Sequence, residues 1–219
     1  MYGILATIYM KWFKGRKEIK RIKCFWDMGV LLNDAENGKE STEEIFGNLR
    51  KLEKAYKAKA DITVMTERGC YETGEYLNQI IMQFDKQGMK DRVTSAQGNG
   101  GFVDVNGAVT FERYKGAGKK AMLKTYACDH EKNPSNILLC LYAGGRLCDE
   151  EMALTHKQVD VYKNIPCAFV DTSKQTLSKG LDCLADQAKP NCYFKFSVLS
   201  PFNSSSTKSP SLRINTLSK

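Results

Sequence analysis

Histidine is scarce in this chain, two residues in 219, and no C-x-x-C pair occurs anywhere. A closed zinc site needs four converging nitrogen or sulfur ligands, so Cys128-Asp129-His130 and the distant His156 are poor material for one. His156 reads instead as a surface or packing residue. The G-x-S-x-G elbow that presents a serine nucleophile is missing, and a cysteine nucleophile would want a histidine partner. Tyr114–Lys120 (YKGAGKK) approaches a phosphate loop and fails it twice. Arg113 stands where the first glycine belongs, and Lys120 stands where a Ser or Thr would ligate magnesium. The apolar run Met1–Met10 is too short for a bilayer, which takes about 20 residues. No Lys or Arg precedes that run and no small-x-small cleavage site follows it, as an export signal would require. These absences predict a protein that is not an enzyme and carries no metal and no cofactor.

Charge and cysteine are what the chain does have. The net charge is +8, but Lys11–Lys23 alone holds seven Lys/Arg and one Glu, so the basicity is local. With Trp12 and Phe13 beside it, this arm could touch nucleic acid or an anionic membrane; a solvated flank is the plainer reading. Eight cysteines are an even number, and six of them fall between Cys128 and Cys192. That density suits a secreted domain stapled by disulfides, against the alternative of buried thiols packed as small apolar side chains.

Along the chain, Ile45, Leu49, Leu52 and Tyr56 recur at helical spacing behind a Ser41/Glu44 capping box, predicting a helix over 43–60. A second helix over 71–87 presents Leu77, Ile80, Ile81 and Phe84 and ends at Gly88. Residues 95–118 hold six glycines, and Asn106-Gly107 between FVDV and AVTF marks a short hairpin or an extended loop. From Lys119 onward short helices are expected at 119–128, 136–143 (bearing Cys140) and 149–163. A final helix carries Leu177, Leu181 and Leu184. Beyond residue 200 the Ser/Pro-rich sequence reads as a disordered tail with an N-glycosylation sequon at Asn203.

The segment CLYAGGRLC (Cys140–Cys148), the Cys at 167, FVDTSKQTLSKGLDC to Cys183 and the closing LADQAKPNC to Cys192 resemble a nematode secreted cysteine-rich family, domain of unknown function nineteen. The resemblance covers about residues 120–196 and implies an extracellular location, a helical disulfide fold and no assigned activity. The spacing Cys183-x8-Cys192 is also similar to the closing spacing of insect odorant-binding proteins, whose C-x3-C is absent here.

The expectation is therefore a mainly α fold, a disulfide-stapled helical domain with a short β-hairpin near 102–111. A basic arm (1–23) precedes the cysteine-rich domain (24–199), and the tail (200–219) follows it. Pairing is expected between Cys24 and Cys70, from Cys148 to Cys183 or Cys192, and from Cys167 to Cys128 or Cys140, because a straight helix over 149–163 would hold Cys148 and Cys167 roughly 20–25 Å apart. The expected role is a secreted, glycosylated interaction module with an extracellular protein or glycan partner. A carrier of a small apolar ligand is the alternative, or a cytosolic nucleic-acid binder working through Lys11–Lys23.

Overall fold

The computed structural model describes residues 19–36, 42–114 and 118–187. Its strands are β1 (Arg21–Asp27), β2 (Lys59–Gly69), β3 (Val93–Asn99), β4 (Gly101–Asp104), β5 (Val109–Phe111), β6 (Ile137–Gly144) and β7 (Cys167–Asp171). Its α-helices are α1 (Met28–Glu36), α2 (Thr42–Tyr56), α3 (Cys70–Lys86), α4 (Gly118–Asp129), α5 (Leu147–Thr155) and α6 (Leu177–Gln187). The strands form one seven-stranded sheet in the order β5-β4-β3-β2-β1-β6-β7. β1, β2, β3, β6 and β7 run parallel, and the β4–β5 hairpin closes one side antiparallel.

Parallel strands need crossover connections, and here helices supply them and bury both sheet faces. Ile22, Cys24 and Trp26 of β1 point into one core with Leu49 and Leu52 of α2, Leu77 and Ile80 of α3 and Leu181 of α6. Phe25 points the other way, into a core with Met122 and Tyr126 of α4, Met152 of α5 and Tyr142 of β6. The result is three layers, helices on both faces of the sheet. The helices are held by their apolar stripes, α2 burying Ile45, Phe46, Leu49 and Leu52. α3 ends where Gly88 takes φ 65°, a left-handed conformation that a glycine adopts without steric cost.

The mainly α, disulfide-stapled expectation is overturned. Cys140 lies on β6, not on a helix, and the helix expected over 149–163 stops at Thr155, passing into a 3-10 turn at His156–Gln158. Seven cysteines are free: Cys24, Cys70, Cys140 and Cys167 buried, Cys148 half-buried, Cys128 and Cys183 exposed. Cys140 and Cys167 face each other in register across β6 and β7 and still remain thiols. Burial pushes both thiols up from their ordinary pKa, which disfavours the thiolate that disulfide formation needs. They pack as small apolar side chains. A mixed α/β sheet domain with free thiols is not the disulfide-rich helical fold of the nematode family, so the likeness was one of cysteine spacing alone. Cys192, the sequon at Asn203, Ser41 and most of the basic arm lie outside the described residues.

The end of that arm forms the start of β1. Lys23 is fully buried, and its ammonium donates to Asp61 Oδ1 (2.9 Å), Thr63 Oγ1 (2.9 Å) and the Tyr126 hydroxyl (2.6 Å). Arg21 bonds Asp61 (2.5 Å) and Glu131 (2.8 Å) beside it. This network ties β1, β2 and α4 together beneath the sheet's second face. The hairpin at 101–111 exists, but with a loop of four residues in which the Asp104 carboxylate accepts the N–H groups of Asn106 (2.8 Å) and Ala108 (2.9 Å).

Candidate functional site

The chain steps outward from β1 through β2 and β3, then returns to place β6 on β1's other side. In open α/β sheets such a reversal leaves a crevice at the carboxyl ends of the strands, where ligands bind. A crevice of about 410 Å³ lies there, bordered by Asp27, Thr66, Glu67, Arg68, Tyr76 and Arg146 among others. Its walls are mostly polar, so this crevice is not the apolar cavity that a carrier would need. The disulfide-stabilised interaction module falls with its staples.

Each wall residue follows from a strand end. Asp27 closes β1, and Met28 begins α1 at once, so the carboxylate stands at a helix N-terminus; Oδ1 accepts the N–H of Gly29 (2.8 Å). Carboxylates are stabilised in that position by the helix dipole. On the next strand, β2 brings Thr66 one position past the Asp27–Met65 register pair, and Thr66 Oγ1 accepts the N–H of Arg68 (3.2 Å). Arg68 pairs with Glu72 and lies over the Tyr76 ring, 4.8 Å from its centroid. On the other side, β6 brings Gly144 level with Asp27, one past the Trp26–Ala143 pair.

Gly144 has a reason to be glycine. A Cβ built there would lie 2.2 Å from the carboxylate of Asp149, so only a bare backbone lets that side chain sit against the strand end. Asp149, in the first turn of α5, is fully buried; Oδ2 accepts the N–H of Arg146 (3.0 Å). Lys119, near the start of α4, joins the two carboxylates: its ammonium donates to Asp27 Oδ2 and to Asp149 Oδ1.

Lys119 is 1% exposed and Asp27 6%, so this is a buried ion cluster at the edge of an open crevice. Burial alone would lower the lysine's pKa; Asp27 and Asp149 outweigh it and leave it raised, so Lys119 keeps its charge. Asp149 is pushed up from its ordinary value by burial, with Lys119 pulling it back and the neighbouring Asp27 adding to the rise. One cation against two carboxylates leaves one negative charge in excess, answered in part by the N–H groups of Gly29 and Arg146 at two helix N-termini. Buried charge of this kind is costly unless something further pairs it.

Few of the residues singled out in the sequence belong here. Cys148 is at the margin: its thiol approaches Glu67 (3.8 Å) and Asp149 (4.0 Å), and burial pushes it up, making it a poor nucleophile. His130 stacks on Phe102 with centroids 3.8 Å apart and bonds Glu112. His156 is a buried packing residue, its ring between the Tyr142 hydroxyl (2.9 Å) and the carbonyl of Ile165 (2.8 Å). Among the described residues no three of His, Cys, Asp and Glu converge as a ready-made metal site. Lys119 does come from the glycine-containing stretch that fails the phosphate-loop pattern, although through its side chain and not through a backbone cradle.

Asp27, Thr66, Gly144 and Asp149 were missed. The signal available was positional: IKCFW, ITVM and ILLCLYA are short apolar runs that stop at Asp27, Thr66 and Gly144. Such runs, bounded by a polar residue or glycine, are what buried parallel strands look like, and their ends are where an α/β site lies. No protein-family model, no curated protein and no solved structure matches this chain.

Proposed function

We propose that the crevice at the ends of β1, β2 and β6 binds a phosphorylated small molecule together with Mg²⁺. The observation that carries this reading is the Asp27–Lys119–Asp149 cluster, a buried set of three charges with one negative charge in excess at the switch point of the sheet. Mg²⁺ is ordinarily held by one or two carboxylates plus the phosphate of the substrate, not by a cage of protein ligands. Asp27 is the carboxylate that borders the crevice, with Asp149 buried behind it on Lys119; Thr66 supplies a hydroxyl, and Arg68 supplies a guanidinium suited to phosphate oxygens.

Inorganic phosphate with Mg²⁺ is the first probe. A ligand at a hundredfold its Kd stabilises by roughly 2.7 kcal/mol, about 5–10 °C in Tm for a domain of this size. The two ions together should raise Tm more than the sum of their separate effects, and Asp27→Asn should remove the synergy. A Tm indifferent to Mg²⁺ plus phosphate, or equally responsive in Asp27→Asn, would end the proposal.

A second reading is favoured by the way Asp27 is held. Both of its oxygens are fixed, one by Gly29 N–H and one by Lys119, as a carboxylate that accepts a phosphoryl group would be. In that step an Asp27 oxygen bonds to phosphorus as the bond from phosphorus to the leaving oxygen breaks. The leaving oxygen keeps the electron pair and takes a proton from solvent. Incubation with acetyl phosphate and Mg²⁺ should add the mass of one phosphoryl group, labile to hydroxylamine and lost in Asp27→Asn. Absence of the adduct removes phosphoryl transfer and leaves binding alone.

A further inference from the structure

We infer that Arg146 reads a second anionic group, so that the compound taken by this crevice carries a carboxylate or a second phosphate besides its first. The inference rests on the phosphate reading and extends it to the class of ligand.

Two guanidinium groups border the crevice, Arg68 on β2 and Arg146 just past the end of β6, and they are not equivalent. Arg68 is already answered: Glu72 pairs with it and the Tyr76 ring lies under it. Arg146 is exposed, and its side chain has no ion-pair partner among the described residues. Its backbone is nonetheless pinned, because its N–H is bonded to the same Asp149 carboxylate that Lys119 holds. A fixed backbone with an uncommitted guanidinium is suited to recognising an anion that arrives with the ligand, since the fork makes two charge-assisted hydrogen bonds to a carboxylate or phosphate.

Neither carboxylate at the crevice pairs with it: Asp27 is held by Lys119 and the Gly29 N–H, and Glu67 lies elsewhere. Glu67 lies against Gly118, its Oε1 3.6 Å from where a Cβ would stand, and Gly118 is the first residue of α4. That places the Glu67 carboxylate at a helix N-terminus, a position that favours negative charge. Arg146 is thus left as the available cation of the wall. The volume of about 410 Å³ also leaves room beyond a single phosphate group, and Tyr76 and Gln79 make that room polar.

The test measures Kd by calorimetry for the full chain with Mg²⁺ and three probes: glycerol phosphate, phosphoglycerate and glycerol bisphosphate. Phosphoglycerate, glycerol bisphosphate or both should bind about tenfold or more tighter than glycerol phosphate, as a new charge-assisted pair would give. Arg146→Ala should bring the three to within about twofold of one another, and Arg146→Lys should restore part of the advantage as a point charge. Which of the two probes with a second anionic group binds tighter identifies that group as carboxylate or phosphate. Equal binding of all three probes by the natural chain overturns the inference while the phosphate reading stands. So does an advantage that survives Arg146→Ala. Binding of none overturns both.

Discussion

Two lysines are buried on the same face of the sheet, and they are buried differently. Lys23 lies near the start of β1 with three acceptors for its three protons, and with Arg21, Asp61 and Glu131 it forms a set of two cations and two carboxylates. Lys119 lies at the other end of the same strand with two carboxylates and no third acceptor among the described residues. The first cluster is balanced, with its lysine fully buried; the second is unbalanced and borders a crevice. Both kinds of cluster cost desolvation, and only the first recovers it within the protein. A balanced set reads as architecture. An unbalanced one beside open space reads as a place where a ligand completes the pairing.

The comparison breaks first at Lys23. Lys23→Met leaves Asp61 buried beside a lost partner, and urea unfolding should show a loss of about 3–5 kcal/mol. A loss under about 1 kcal/mol would mean the closed cluster is not structural at all.

Gly144→Ala comes next, because its methyl group must displace Asp149. Overpacking of this kind costs about 1–3 kcal/mol. The substitution should also abolish the Mg²⁺-dependent phosphate shift while leaving the Lys23 cluster intact. A variant that melts lower but still shows the full shift would detach Asp149 from the site.

Smaller still is the effect of acid. Burial would raise the Asp61 carboxyl, but Lys23, Thr94 and Arg21 outweigh it and hold it below its ordinary value. A carboxylate with a lowered folded pKa contributes stability that is present above its unfolded value, about 3.9, and lost as pH falls through the folded one. Asp149, raised in the folded state, has the opposite sign: its contribution is present below the unfolded value and is lost as pH rises through the folded one. Chemical denaturation between about pH 5 and pH 2.5 should therefore give a shallower decline in Asp61→Asn than in the natural chain. An Asp149→Asn variant should decline more steeply.

The finest test is one of sign. Asp27→Asn relieves the excess negative charge and should stabilise the protein by about 0.5–2 kcal/mol while eliminating ligand binding, the trade expected where function keeps a site strained. Asp61→Asn should destabilise. If both move stability in the same direction, the contrast between the two clusters fails.

The helices were legible in the sequence because each shows water one face. Ile45, Leu49 and Leu52 of α2, Leu77, Ile80 and Phe84 of α3, and Leu177, Leu181 and Leu184 of α6 are all buried at the spacing the sequence displays. The Asn106-Gly107 turn was legible for its conformational demand, with Gly107 at φ 81°. The central strands were not. β1, β2 and β6 are buried on both faces, so ITVM and ILLCLYA show no alternation, and a short apolar run without period also fits a buried helix segment. Reading Cys140 onto a helix followed from that ambiguity, whereas the disulfide scheme rested on the clustering of the cysteines and on a helix over 149–163 that in fact stops at Thr155.

What the sequence by itself determined is local: which faces are apolar, where glycines end helices, and that basic residues crowd near the start of the chain. Only the tertiary structure decided that the seven described cysteines remain thiols, that Lys23 is a core residue, and that Asp27, Lys119 and Asp149, separated by up to 122 positions, share one cluster. The reason is physical. Amphipathic period is imprinted by water on each element separately, whereas a switch-point site is made by strand order, and strand order is a property of how the elements pack.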